Sequence, residues 1–136
     1  MNGKSVFVDS NIILYAYSTD VRKKTVSKKI LRIQPMISTQ VLNEVSNVAL
    51  RKLKLTYQEV RELLNLLKRT CDIKIVTWTT IDRALGISEI YQYSYFDSLI
   101  IASALEYQCQ FLYTEDLQNG QLIEKTLRIK NPFLLP

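Results

Sequence analysis

The sequence predicts an α/β domain with a central parallel β-sheet flanked by α-helices. Short apolar, β-branched segments alternate with amphipathic helical segments along the 136 residues. Only three glycines and three prolines occur, so no linker or repeat divides the chain. A content of 47% hydrophobic and 23% charged residues is typical of one packed core. We therefore expect residues 1–136 to form a single domain that binds ligands beyond the carboxyl ends of its strands.

The first part of the chain is predicted to contain two strands and three helices. Lys4–Val8 is a short apolar, β-branched strand, and Asn11–Ser18 is a helix with several apolar residues. Val21–Arg32 is a basic amphipathic helix with four candidate buried positions in or just beyond it: Val21, Thr25, Ile30 and Ile33. Met36–Ser38 is a strand. Gln40–Lys52 is a helix with an apolar stripe of Val41, Val45 and Val48.

The middle of the chain continues this alternation. The spacing of Thr56 and Glu59 is that of a capping box, which predicts a helix running to about Arg69. Ile73–Trp78 alternates like a strand, and Thr79–Tyr91 has a weaker helical pattern.

The last third is predicted to contain one buried helix and two extended segments. Phe96–Tyr107 is apolar on nearly every side, which predicts burial. Phe111–Thr114 is a strand, and Leu127–Phe133 is a final short strand or turn.

The complete absence of histidine restricts the chemistry available to this chain. It excludes serine and cysteine hydrolases that depend on histidine, ribonucleases with paired histidines, and histidine-rich zinc sites. Cys71 and Cys109 are too few and too far apart in sequence for a structural zinc site. An enzyme of this composition must rely on carboxylates, lysines, hydroxyls, or a hard metal ion with oxygen ligands.

The hydropathy pattern predicts a cytoplasmic protein with no membrane contact. No apolar run approaches the roughly 18 residues that a membrane span needs. The apolar segment near the N-terminus is too brief for the core of a signal peptide. In that compartment the two cysteines are expected to be reduced.

The positive charge is concentrated in one part of the sequence. Residues 20–61 contain ten Lys or Arg and three Asp or Glu, a net of +7, whereas the rest contains eight and ten, a net of −2. This distribution suits a polyanion bound beside an acidic site. A helix face that is simply solvated explains it equally well. The candidate nucleic-acid-binding residues are Lys23, Lys24, Lys28 and Lys29.

Four acidic residues occupy informative positions. Asp9 and Asp116 each follow a predicted strand, where a turn or N-cap role is the plainer alternative. Glu44 borders the apolar stripe of its helix, where an unpaired carboxylate is costly unless it reaches solvent. Asp97 begins the most apolar helix, three residues after Ser94, and this spacing also suits a helix cap.

Taken together, these four acids predict a metal site. They are expected to converge at one edge of the sheet, where crowded carboxylates repel one another and a divalent cation is their natural partner. One or two such ions can activate water and stabilise the oxygens in an attack on phosphorus without a histidine base.

Four segments resemble PIN-domain nucleases, and in particular the VapC-type toxins of toxin–antitoxin pairs. In chain order they are Val6–Ala16, Ser38–Val45, Tyr93–Ile100 and Tyr113–Gly120, followed by a terminal Asn131–Phe133. Any one of them alone is a weak signal, because an acid after a strand is common. Four in the family's order span nearly the whole chain.

The resemblance implies a Mg²⁺- or Mn²⁺-dependent endoribonuclease that acts on RNA, often tRNA. It assigns the metal ligands to Asp9, Glu44, Asp97 and Asp116, and hydrogen-bonding support of the site to Asn11 and Thr114. It also implies a homodimer and inhibition by a cognate antitoxin protein.

The sequence allows an alternative ligand and an alternative function. Glu115 adjoins Asp116 and is an alternative or additional ligand, although Asp116 matches the family's usual acid. A catalytically inactive PIN-like module that binds RNA or protein is the main alternative function.

Phosphate transfer through an aspartyl group is disfavoured. Receiver domains have a second acid beside the first-strand aspartate and a lysine at a late strand end, and aspartyl phosphatases have an Asp-x-Asp motif. Here Asp9 is followed by Ser10 and Asn11, and the strand that ends at Thr114 is not followed by lysine.

Overall fold

The computed structural model describes residues 5–134, and these form a six-stranded, mostly parallel sheet with six α-helices. The strands are β1 (Val6–Val8), β2 (Met36–Ser38), β3 (Asp72–Lys74), β4 (Phe111–Tyr113), β5 (Leu122–Ile123) and β6 (Leu127–Lys130). The helices are α1 (Ser10–Leu14), α2 (Val21–Arg32), α3 (Thr39–Arg51), α4 (Tyr57–Thr70), α5 (Trp78–Tyr91) and α6 (Tyr95–Glu106). Two short 3-10 turns cover Tyr15–Tyr17 and Pro132–Leu134.

The strands lie in the order β3-β2-β1-β4-β6-β5, and all neighbours are parallel except β5 and β6. The carboxyl ends of the five parallel strands therefore meet at one edge of the sheet. A helix that follows a parallel strand begins at this edge, as α3 does after β2. A crossover helix that leads into a strand also begins there, as α6 does before β4. This geometry fixes the place where a site can form.

The core is built on β1 and α6. Val6, Phe7 and Val8 have no exposed surface, and every residue of α6 from Ser98 to Leu105 is buried. The prediction of a buried, nearly all-apolar helix is confirmed. Phe96 in its first turn is the exception, with 57% of its surface exposed. Within the described part of the chain, no helix is long and apolar enough to cross a membrane.

The predicted alternation of strands and helices is confirmed, with differences at several boundaries. The capping box of Thr56 and Glu59 is present, with both hydrogen bonds formed. The first strand was expected to include Lys4, which lies outside the described residues. The strand expected at Ile73–Trp78 ends at Lys74, because Thr77 caps α5 and Trp78 is already helical. The antiparallel strand β5 was not predicted.

The buried face of α2 also differs from the prediction. Ile30 is buried, but Val21 is 75% exposed and Thr25 is exposed too. The inward face is centred on Ser27 and Ile30 instead. A hydroxyl can occupy this core position because Ser27 Oγ donates a hydrogen bond of 2.5 Å to the carbonyl of Ile12. On α3, Val41 and Val45 are buried as expected, whereas Val48 is half-buried.

Candidate functional site

Asp9 lies at the carboxyl end of β1 and is only 4% exposed. It is the N-cap of α1, and its Oδ1 accepts a 2.7 Å hydrogen bond from the backbone N–H of Ser10. Its Oδ2 accepts a 2.8 Å hydrogen bond from the Thr114 hydroxyl. Burial raises the pKa of Asp9 to about 6 against the lowering effect of these two hydrogen bonds. The capping role and a place in an acidic cluster thus coexist in one side chain.

Asn11 and Thr114 join the ends of the two central strands. The pairing of Val8 with Tyr113 brings the segments after β1 and β4 side by side. The Thr114 hydroxyl accepts hydrogen bonds from the backbone N–H of Asp116 at 3.2 Å and from Asn11 Nδ2 at 3.4 Å. Asn11 Nδ2 also donates to Asp116 Oδ2 at 2.9 Å. This network holds the Asp116 carboxylate on the same side of the sheet as Asp9.

Glu44 enters the site from α3 with one carboxylate oxygen buried. Within residues 5–134, this Oε1 has no hydrogen-bond partner. Burial, with a smaller contribution from the charges of Asp9, Asp97 and Asp116, raises the pKa of Glu44 to about 7. A buried, unpartnered carboxylate oxygen among three other acids is costly unless a cation satisfies it.

Asp97 lies in the first turn of α6, where Ser94 caps the helix by accepting a 3.2 Å hydrogen bond from its backbone N–H. Its side chain is half-buried, and its charge contributes to the raised pKa of both Asp9 and Glu44. The structure therefore brings all four acids singled out in the sequence to the carboxyl edge of the sheet. Two of these acids lie after the strands β1 and β4, and the other two lie on the helices α3 and α6.

The chemistry of this donor set fits a divalent cation of the Mg²⁺ or Mn²⁺ type. Carboxylate oxygens are the preferred ligands of both ions. Among residues 5–134, no group of three or more His, Cys, Asp or Glu side chains is close enough to enclose an ion without rearrangement. Neighbouring carboxylates repel one another, and a bound divalent cation would offset that repulsion. The unpartnered Oε1 of Glu44 is the atom most in need of a cation.

Glu115 and Asp116 point to different partners. Glu115 Oε2 lies 2.6 Å from Lys23 Nζ, and Tyr15 donates a hydrogen bond to the other carboxylate oxygen. Burial tends to raise the pKa of Glu115, but the hydrogen bonds from Lys23 and Tyr15 hold it below its ordinary value. Asp116 instead meets Asn11 and raises the pKa of Asp9 and Glu44. The geometry favours Asp116 as the member of the acidic cluster.

The four candidate lysines of α2 have different surroundings. Lys23 packs over the ring of Tyr15, 4.5 Å from its centroid, and has Glu115 as its ion-pair partner. Lys24 and Lys28 line a groove of about 460 Å³ between α2 and α4, and four leucines line it too: Leu31, Leu63, Leu66 and Leu67. Lys29 is exposed.

A cleft of about 430 Å³ adjoins Glu44, and the sequence patterns do not predict it. Its lining residues are Gln40, Asn43, Glu44, Asn47 and Phe96. The amides repeat every three or four residues along α3, and this helical spacing was a signal available in the sequence. The sequence predicts Phe96 to lie in the buried helix, because its neighbours are apolar.

The comparison with protein families matches the PIN domain over residues 6–120. This match covers most of the chain and includes all four acids. The chain belongs to the PIN-domain family. PIN nucleases use divalent metal ions, which agrees with the oxygen-rich donor set of this PIN domain. A comparison with curated protein sequences finds no relative.

Solved structures share the fold of this PIN domain at low sequence identity. VapC20 from Mycobacterium tuberculosis, described as a toxin that cleaves the sarcin–ricin loop, has a TM-score of 0.67 and 21% identity over 82% of this chain and 90% of its own. A toxin–antitoxin complex from Klebsiella pneumoniae has a TM-score of 0.72 and 20% identity over 94% of this chain and 98% of its own. FitAcB from Neisseria gonorrhoeae has a TM-score of 0.67 and 17% identity over 96% of this chain and 99% of its own.

Proposed function

We propose that this PIN domain is a divalent-metal-dependent endoribonuclease and the toxin of a VapBC-type toxin–antitoxin pair in the cytoplasm. The observation that carries the proposal is the meeting of Asp9, Glu44, Asp97 and Asp116 at one sheet edge, with a buried oxygen of Glu44 left unpartnered. Family membership adds a nuclease fold that uses this class of metal.

Each side chain has a separate task in the proposed reaction. The four carboxylates would hold Mg²⁺ or Mn²⁺, which supplies a Lewis acid that activates water and stabilises charge at phosphorus. Thr114 and Asn11 fix the carboxylates of Asp9 and Asp116, so little reorganisation is needed during the reaction. The burial of Asp9 keeps bulk water from screening the charges around it.

RNA is the proposed substrate, and a cognate antitoxin is the proposed partner. The net charge of +7 over residues 20–61 suits a polyanion, and the structural neighbour VapC20 is itself described as a toxin that cleaves the sarcin–ricin loop. A structural neighbour that is a toxin–antitoxin complex supports an antitoxin as the partner of this chain. Among the lysines of α2, we assign phosphate contacts to Lys24, Lys28 and Lys29, because Lys23 already pairs with Glu115. A homodimer and a tRNA substrate are proposed on family grounds alone.

Cleavage of total RNA by the purified protein tests the proposal. We expect products with Mn²⁺ or Mg²⁺ and none with EDTA. Asp9→Asn, Glu44→Gln, Asp97→Asn and Asp116→Asn should each lower cleavage by at least about 100-fold while the protein stays folded.

Glu115→Gln is the matched control, because this neighbouring carboxylate faces Lys23 and should be dispensable for cleavage. Cleavage by a folded Asp9→Asn protein at a near-normal rate would contradict the catalytic assignment. Binding of RNA without cleavage under every metal condition would favour the inactive binding module.

A further inference from the structure

The cleft beside Glu44 has the chemistry of a nucleobase site. Its lining includes the amide residues Asn43 and Asn47 from α3 and the aromatic residue Phe96 from α6. Amides donate to and accept from base edges, and an exposed aromatic ring offers a stacking surface to any base. The cleft is continuous with the acidic cluster, because Glu44 lines both and Phe96 directly precedes Asp97.

The exposure of Phe96 has a structural cause. Its helix is buried from Ser98 onward, and only the first turn projects beyond the core. The ring of Tyr95, which packs against the core, lies 5.5 Å from that of Phe96 at 58°. Tyr95 thereby supports one side of the Phe96 ring, whose surface remains 57% exposed. A large apolar ring held in this way adds little to the stability of the core.

The far end of α3 adds a positive charge to this surface. Arg51 lies one helical turn beyond Asn47, and a second concavity is lined by Asn47, Val48, Arg51 and Lys52. A nucleic acid strand lying along α3 from Glu44 would meet amides first and cations next. This order suits a strand whose base enters the cleft and whose following phosphates reach Arg51 and Lys52.

We propose that Phe96, Asn43 and Asn47 bind one unpaired nucleobase of the RNA beside the scissile phosphate. This inference rests on the proposed ribonuclease function and deepens it, since it makes the substrate a single-stranded or looped segment. A base within a duplex cannot stack on Phe96, because both of its faces are already covered. The Phe96 ring can stack on any base, and the amides read the edge of that base and so decide which base binds most tightly.

Binding of labelled RNA in EDTA tests the subsite without cleavage. The probes are ten-nucleotide oligo(A), oligo(U) and oligo(C), and a blunt ten-base-pair RNA duplex. Phe96→Leu should weaken binding of the single-stranded probes on the order of tenfold and leave the duplex unchanged. Phe96→Trp should restore binding. Asn47→Ala should change the relative affinities for the three single-stranded probes.

Trp78→Leu is the matched control, because Trp78 is an aromatic residue at the start of a helix, is 82% exposed, and lies outside the cleft. Single-stranded binding within twofold of wild type in Phe96→Leu, or an equal loss in Trp78→Leu, would overturn the subsite. Cleavage with Mn²⁺ that is indifferent to Phe96→Leu would do the same and leave the nuclease proposal intact. Binding through Phe96 by a wild-type protein that cleaves no RNA would instead contradict the nuclease proposal alone.

Discussion

The hydroxyl of Thr114 donates a 2.8 Å hydrogen bond to the buried carboxylate of Asp9, across a sequence separation of 105 residues. The same oxygen accepts the backbone N–H of Asp116 at 3.2 Å. One threonine at the end of β4 thus connects both strand-end acids of the site. Its own side chain is fully buried, so no water replaces this bond if the hydroxyl is removed.

Replacing Thr114 by valine is expected to destabilise the protein at pH 8 by about 1.5–3 kcal/mol. The shape of the side chain is kept, but a buried charged acceptor loses its donor. Urea unfolding measures this change, and RNA cleavage should fall in parallel because Asp9 and Asp116 lose their common anchor. Thr114→Ser keeps the hydroxyl and is the control that should restore both properties. Equal unfolding free energies for the valine and serine variants would contradict this role.

The metal-free protein is expected to lose stability as pH rises from about 4 to 7. Burial raises the pKa of Asp9 from 3.8 to about 6, so the folded state holds a proton that the unfolded chain has released. The free energy of unfolding therefore falls with pH across this window, by up to about 3 kcal/mol from Asp9. Glu44, whose pKa is raised to about 7, acts in the same direction.

Urea unfolding of the wild type and of Asp9→Asn in EDTA, from pH 4 to 8, isolates this contribution. The amide does not titrate, so the variant should gain stability relative to the wild type as pH rises. A difference between the two proteins that stays constant over the whole range would refute the linkage.

Divalent metal is expected to raise the melting temperature of the wild type. Binding to the folded state at about 100 times Kd adds roughly 2.7 kcal/mol, which corresponds to a shift on the order of 10 °C for a domain of this size. The effect should grow between pH 5 and pH 7, because Asp9 and Glu44 must lose their protons to bind. Scanning calorimetry with Mn²⁺ measures it. The double variant Asp9→Asn/Asp97→Asn should respond little, and an unchanged melting temperature in the wild type at millimolar Mn²⁺ would argue against the metal site.

Changing Lys24, Lys28 and Lys29 to glutamine is expected to flatten the salt dependence of RNA binding. Each lost phosphate contact should lower the slope of log K against log salt by roughly 0.7–0.9. Cleavage at saturating RNA should change little, since these charges act in binding. Lys125→Gln is the control, because this exposed lysine lies between β5 and β6. An unchanged slope in the triple variant would assign these lysines to a protein partner at the groove or to solubility.

Lys23 needs a variant of its own, because it binds Glu115 next to Asp116. Including it among the other lysines would mix the loss of phosphate contacts with the loss of an ion pair within the protein. The sequence offered no sign of this contact, since the two residues are 92 positions apart. Their pairing depends on the packing of α2 beside the end of β4.

Much of the fold followed from local pattern. The apolar runs of β1, β2 and β4, the capping box at Thr56, and the apolar length of α6 each carry their own signal, because strand and helix periods differ. The strand predicted to reach Trp78 ends at Lys74, because Thr77 caps α5 and the helix begins where the sequence still alternates like a strand. The two-residue strand β5 has too little sequence to carry a pattern, and its pairing with β6 is decided by the sheet.

The residue types limit the chemistry of this PIN domain. It has no histidine, and its candidate site, with an acid after β1, an acid after β4 and two acids on helices, offers oxygen ligands. Which acids lie together depends on the packing of the strands and helices. The parallel order of β1 and β4 places Asp9 beside Asp116, while Lys23 draws Glu115 away. Tertiary packing likewise places Phe96 in a cleft and not in the core. Such contacts join residues far apart in sequence, and local periodicity holds no information about them.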